Sequence, residues 1–183
     1  MSGAGSAVRI EAKWIDSFAE AVAAAPEPLA LRSALGRFTT GVTIVTCLDA
    51  AGQRVGLTAN SFGSLSLEPP LVLWSLRRAS PSLAAFEAAA HFCINVLAES
   101  QVDLSRRFAA SGADRFAEGH WSAGLGGAPV LAGCAAVFEC RTEQRLDGGD
   151  HRLFIGRVER LADMAVAPLL FHSGHYRMLG EVL

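Results

Sequence analysis

Lysine is nearly missing from this chain: it occurs once, at Lys13, and no run of basic residues stands anywhere. With 16 lysines plus arginines against 18 aspartates plus glutamates, the formal net charge is -2. Neither a nucleic-acid footprint nor attraction to an anionic membrane surface is therefore expected. Long apolar runs are missing too, since no window approaches the roughly 20 residues of a membrane-spanning helix. Met1 to Arg9 has no basic stretch leading into an apolar core, which makes a cytoplasmic location the expectation. Cysteine is limited to Cys47, Cys93, Cys134 and Cys140, with no Cys-x-x-Cys pair. These lie mostly in apolar, strand-like runs, where reduced buried thiols are expected rather than disulfides or metal ligands. No Gly-x-Gly-x-x-Gly follows a strand-like run, so a Rossmann domain is not expected. The one glycine cluster, Gly124 to Gly127, is no phosphate loop, because it does not follow a strand and Pro129 interrupts any helix after it.

What is present is apolar. Hydrophobic residues make up 51% of 183 positions, enough for one domain with a respectable core and a subunit surface to spare, so a homodimer is expected. The most informative stretch runs from Gly56 to Pro81. Val55 to Ala59 reads as a short strand breaking into Asn60-Ser61, and Leu71 to Leu76 as a second. Between them Glu68-Pro69-Pro70 cannot be helical, giving strand, polar corner, turn, strand. Ser80-Pro81 then reads as a helix start, with the helix running to Ala90 and closed by His91. Beside Arg77 and Arg78 such a start is a ready anion site, unless Ser80 is only a cap and the arginines a solvated edge. Small hydroxyl and amide side chains between apolar strands are what a buried polar ligand needs from its walls.

Elsewhere, Ile10, Trp14, Phe18 and Val22 fall at helical spacing, predicting an amphipathic helix that ends before Pro26. Leu29 to Phe38 reads as a helix, Gly41 to Leu48 as a strand and Asp49 to Gly52 as a turn. Phe92 to Leu97 is a buried strand whose Asn95 either ties neighbouring backbone or meets a ligand, because an unpartnered core amide is costly. A helix is expected from Glu99 or Ser100 to about Ala110, then a loop from Ser111 to Gly127 carrying Arg115, Phe116 and Trp121. Ala135 to Arg145 alternates as an antiparallel strand with one wet face. Asp147 to Asp150 forms a hairpin turn, Arg152 to Leu161 returns, and His151 sits at the strand mouth. Many short strands and few helices point to a mainly β fold with flanking helices, an antiparallel barrel rather than a doubly wound sheet.

Five pieces in order carry a family resemblance: Leu35-Gly36-Arg37-Phe38-Thr39-Thr40-Gly41-Val42-Thr43-Ile44-Val45-Thr46, Thr58-Ala59-Asn60-Ser61-Phe62, Ser66-Leu67-Glu68-Pro69-Pro70-Leu71-Val72, Phe92-Cys93-Ile94-Asn95-Val96-Leu97 and Gly149-Asp150-His151. The chain resembles the short-chain flavin reductases that serve two-component flavin-dependent monooxygenases. That resemblance implies an antiparallel split barrel over residues 29–183, with 1–28 as an N-terminal extension it does not cover. It also implies a homodimer, FMN or FAD with NADH or NADPH, and a partner monooxygenase that receives reduced flavin.

Carried over residue by residue, it implies that Arg37, Thr39 and Thr40 lie near the flavin and nicotinamide. Thr58, Ala59, Asn60, Ser61 and Ser75 would line the cofactor, with Arg77, Ser80 and Ser82 on its phosphate or ribitol. Asp150 and His151 would sit near the nicotinamide, with His151 the catalytic candidate that orients it, and Tyr176, beside His175, would approach from the C-terminal side. Hydride transfer needs no protein nucleophile, in keeping with a site of hydroxyls and amides without paired carboxylates. The alternative is a flavin-binding protein that stores or senses the cofactor without turnover. A hydrolase built on Ser61 or Cys93 with His151 lacks a nucleophile elbow, and its thiol lies inside an apolar strand.

Overall fold

A computed structural model describes residues 27–112 and 114–181; the helix expected over Ile10 to Val22 lies outside them. The chain divides into two compact units, Met1–Arg37 and Phe38–Leu183. In the first, helix α1 (Pro28–Leu35) begins with proline, whose missing N–H costs nothing there. Gly36 closes it, donating to Arg32 O at 3.0 Å. The helix expected as far as Phe38 thus stops at Leu35, and it buries none of its residues.

The second unit is built from strands: β1 (Thr40–Gly41), β2 (Thr43–Leu48), β3 (Arg54–Ala59), β4 (Gly63–Leu67), β5 (Pro70–Arg77), then helix α2 (Leu83–Ala88) and β6 (His91–Val96). Helix α3 (Val102–Ala109) follows, then β7 (Trp121–Ala123), β8 (Pro129–Leu131), β9 (Ala136–Gly148), β10 (His151–Asp163), β11 (Leu170–His172) and β12 (His175–Arg177). Seven strands form one antiparallel sheet in the order β3-β2-β6-β9-β10-β5-β4, while β1 pairs with the β11–β12 hairpin and β7 with β8. The mainly β, antiparallel expectation holds. The ladder itself stays open between its end strands, yet the sheet coils: the Ser61 hydroxyl at the end of β3 donates to Ser75 O and accepts from Ser75 N, both at 3.0 Å. These bonds continue the β4–β5 register past Gly63 and Leu73, and so hold the link between β3 and β4 against β5.

Strand alternation sorts side chains to two cores. Val45 and Cys47 of β2, Phe92 and Ile94 of β6, Trp74 of β5 and Phe154 of β10 fill one. Trp74 stacks on Phe154 at 4.8 Å between centroids and meets Phe86 of α2 edge-on, also at 4.8 Å. Ile44, Cys93, Phe108 and Leu131 belong to the other core. β2 and β6 are thus buried on both faces, which is why they read as continuous apolar runs. Where β10 crosses Phe92 there is room only for glycine: a Cβ on Gly156 would stand 2.4 Å from the ring.

Several local expectations need correcting. The presumed turn after Asn60-Ser61 contains β4, a hairpin partner of β5. Helix α2 starts at Leu83, not at Pro81, and stops at Ala88. Ser80 instead closes a turn, its carbonyl accepting from Leu83 N and its hydroxyl from Ser82 N. The 111–127 region holds β7 and a single 3-10 turn, Leu125–Gly127. The wet face of β9 is ion-paired, Glu139 to Arg160, Glu143 to Arg157 and Arg141 to Glu159.

All four cysteines are free and buried. Burial pushes the thiols of Cys47, Cys134 and Cys140 up to about 12 and that of Cys93 upward as well. At pH 8 such thiols are almost wholly protonated, and the thiolate is the reactive form. Dithionitrobenzoate at that pH should therefore titrate no cysteine in the native chain and four after denaturation; rapid native labelling would contradict this burial.

Candidate functional site

Strands β3 and β5 approach each other at one end of the barrel, and the turn before α2 and the segment after α3 close over them. The result is a cavity of about 490 Å³ lined by Thr58, Ala59, Asn60 and Ser61, by Ser75 and Arg77, by Ser80 and Ser82, and by His151. The polar corner and the capped turn, separated by some twenty positions, thus face one space. Its volume lies in the range of small-molecule sites. Leu57, Leu76 and Phe108 give it apolar walls, and among the described residues no aspartate or glutamate lines it.

The polar side chains divide by what they already hold. Thr58 donates from Oγ1 to Ser105 O at 2.6 Å, and Ser61 is occupied by the Ser75 backbone. These two shape the wall. Asn60 and Ser61 lie beyond the last paired position of β3, Ala59 opposite Thr43, so their backbone amides stand outside the ladder. Among the described residues the side chains of Asn60, Ser75, Arg77 and Ser82 have no hydrogen-bond partner. Such a set, unpartnered donors at the edge of apolar walls with cations and no acid, suits a planar polar ring system with a phosphorylated tail.

His151 opens β10, opposite Gly148 and Arg77. Its Nδ1 lies 2.7 Å from Asp150 Oδ1, and its side chain is 39% exposed. The hydrogen bond to His151 holds the Asp150 carboxyl below the usual carboxylate range. Asp150 thereby fixes the imidazole with Nε2 away from the turn.

Tyr176 lines an adjoining cavity of about 180 Å³ with Thr58, Ala59 and Asn60. Its hydroxyl lies 2.9 Å from Ser105 Oγ, and the Arg106 guanidinium stands over its ring at 5.6 Å. Thr40, in β1 beside that hairpin, keeps a buried Oγ1 without a partner. Thr39 precedes it, exposed. Arg37 ends the helical unit, where its N–H donates to Ala34 O. The helix start expected at Ser80-Pro81 lies at Leu83 instead, and Ser82 makes no side-chain cap bond there.

Asn95 belongs to the fold. Its Nδ2 donates to Ile44 O at 3.0 Å and its Oδ1 accepts from Leu131 N at 2.8 Å. A hydrolase finds no support, since the Ser61 proton goes to Ser75 O and the Cys93 thiol lies in the second core. Sequence reading missed Arg115, which lines the cavity and donates to Gly56 O at 2.8 Å and Ala110 O at 2.9 Å. Its partners lie far off along the chain or in a loop without periodicity, so no local pattern marks it.

Several known proteins are similar to this chain. A "Probable flavin reductase" of Rhizobium meliloti (strain 1021) is 45% identical over 160 residues, 86% of this chain and 51% of that protein, so this chain spans about half that relative's length. The reductase subunit HsaB of a flavin-dependent monooxygenase from Rhodococcus jostii (strain RHA1) is 46% identical over 158 residues, 85% of this chain and 80% of that one. The solved structure of the NADH:FAD oxidoreductase SgcE6 of Streptomyces globisporus C-1027 with NAD and FAD fragments has a TM-score of 0.80 at 36% identity, covering 86% of this chain and 98% of that chain. Residues 35–180 match the flavin reductase like domain model, and the chain belongs to that family.

Proposed function

We propose that this chain is an NAD(P)H:flavin oxidoreductase that reduces FMN or FAD and passes the reduced flavin to a separate monooxygenase. It would act in the cytoplasm as a homodimer. The observation that carries the reading is the convergence of residues 58–61, 75–77, 80–82 and 151 on one cavity with no carboxylate among its described lining residues. The monooxygenase partner is supported by the relative named as the reductase subunit of such an enzyme.

A bound flavin supplies the hydride acceptor and a reduced nicotinamide the donor. The protein's share is placement and charge. Leu57, Leu76 and Phe108 would hold the apolar faces of the ring, and Asn60 with the free amides of the 60–61 corner would meet its polar edge, where negative charge develops. Arg77 and the Ser80 and Ser82 hydroxyls would hold a phosphorylated side chain. His151, fixed by Asp150, would present Nε2 to the nicotinamide carboxamide and orient it; no proton transfer from it is required.

Purified protein should oxidise NADH, followed by its absorbance, only when FMN or FAD is added. Absence of both flavin uptake and NADH consumption would end this reading. Uptake without turnover would instead support the storage or sensing protein.

A further inference from the structure

Two of the four residues in the Asp147–Asp150 stretch that leads into His151 are glycine. Gly148 and Gly149 bring no side chain, and Gly149 holds a φ of +64°, so the turn has little stiffness of its own. Asp150, which fixes the imidazole, has a side chain 82% exposed, and it belongs to neither core. A histidine presented from such a turn keeps one direction only if the turn is tied down from outside.

Arg78 supplies the tie. The β5–β10 register sets Arg77 opposite His151, so the next residue along meets the turn itself. Arg78 N donates to Asp150 O at 2.9 Å and Arg78 Nε donates to Gly149 O at 3.1 Å. Its Nη2 lies 2.5 Å from Asp147 Oδ1. One residue thereby holds three of the four positions. A second anchor stands behind the first: Arg152 pairs with the same Asp147 carboxylate, and its Nε lies 2.7 Å from Glu87 Oε1 of α2. The hairpin, β5 and α2 are thus joined at one point. The two neighbouring arginines part company here, since Arg77 lines the cavity and Arg78 does not. Exposed ion pairs add little to stability, so this fork matters for what it orients.

We infer that Arg78 is a positioning residue for hydride transfer: its guanidinium fastens the Gly149–Asp150 turn, so that the Asp150–His151 pair keeps a single direction toward the nicotinamide. This rests on the proposed role of His151, through which Arg78 acts without touching a ligand. Lysine is no substitute, because a compact ammonium lacks the planar fork that meets the Gly149 carbonyl and the Asp147 carboxylate together.

Arg78→Ala should raise the NADH KM about fivefold, with kcat, flavin affinity and the thermal melt near wild type, and Arg78→Lys should recover little of that loss. Asp150 gives a readout apart from activity. The hydrogen bond from His151, with help from the charge of Arg77, holds its carboxyl below the usual range. Followed by carbon NMR across a pH titration, that carboxyl should move up toward an ordinary aspartate in Arg78→Ala, and also in Arg78→Lys, which keeps the charge but not the fork. In a His151→Ala background Arg78→Ala should add nothing further to KM. An unmoved Asp150 titration, full recovery by lysine, an effect on KM that persists without His151, or a wild-type KM in Arg78→Ala where His151→Ala raises it would each overturn the inference. If both alanine variants keep the wild-type KM while the Asp150 titration moves, the clamp on the turn stands and the nicotinamide reading of His151 falls.

Discussion

Replacing Asn95 with leucine is expected to lower the stability of the folded chain by about 3 kcal/mol while leaving its affinity for flavin unchanged. Asn95 is fully buried between β2 and β8, and its amide ties backbone from both, Ile44 O and Leu131 N. Thr46 is drawn into the same knot, with its Oγ1 3.4 Å from Asn95 Nδ2 and donating to Pro129 O. Leucine matches the volume but leaves the Leu131 N–H in a dry core without its acceptor, and an orphaned buried group costs its full desolvation. Set against the roughly 5–15 kcal/mol that holds a domain together, the loss shifts the denaturant midpoint well beyond error. A variant of unchanged stability that no longer binds flavin would show that the amide serves the ligand, and that the core knot is incidental.

The strands were legible wherever burial left a periodic trace. β2 and β6 read as apolar runs because both faces meet core, and the β9–β10 hairpin was visible because the Gly149-Asp150 turn stands between alternating segments. β4 left no such trace. Its Leu65 and Leu67 are 45% and 93% exposed, and its other positions are glycine and serine, so an edge strand reads as loop. Ser80-Pro81 carries the chemistry of a helix start, but here it closes a turn first, and the helix follows two residues later.

The cavity was legible in its parts and not in its assembly. Residues 58–61 and 80–82 stand out as polar breaks in apolar sequence, yet only the coiling of the sheet brings β3 to β5, with the Ser61–Ser75 bonds holding the link between β3 and β4 on β5. Contacts of that kind depend on strand order, which local pattern does not encode. Arg115 is the extreme case, since its tie to Gly56 spans 59 residues.

On the proposed function, His151→Ala should raise the KM for NADH about tenfold while the dissociation constant for flavin stays near that of the wild type. The argument is geometric. Among the described lining residues His151 is the one held by a charged partner, its Nδ1 bonded to Asp150, so Nε2 is presented in a fixed direction at low entropic cost. Alanine removes that contact without disturbing β10, because the side chain is 39% exposed and packs in neither core; the melting temperature should move little. Asp150→Asn separates orientation from contact: the ring remains but loses the anion that fixes it, and KM should rise by a smaller factor. A positioning role also requires kcat to fall less than kcat/KM, since the hydride itself never passes through the imidazole. An unchanged KM in His151→Ala would refute the assignment, and equal losses in flavin binding would move the histidine from the nicotinamide to the flavin.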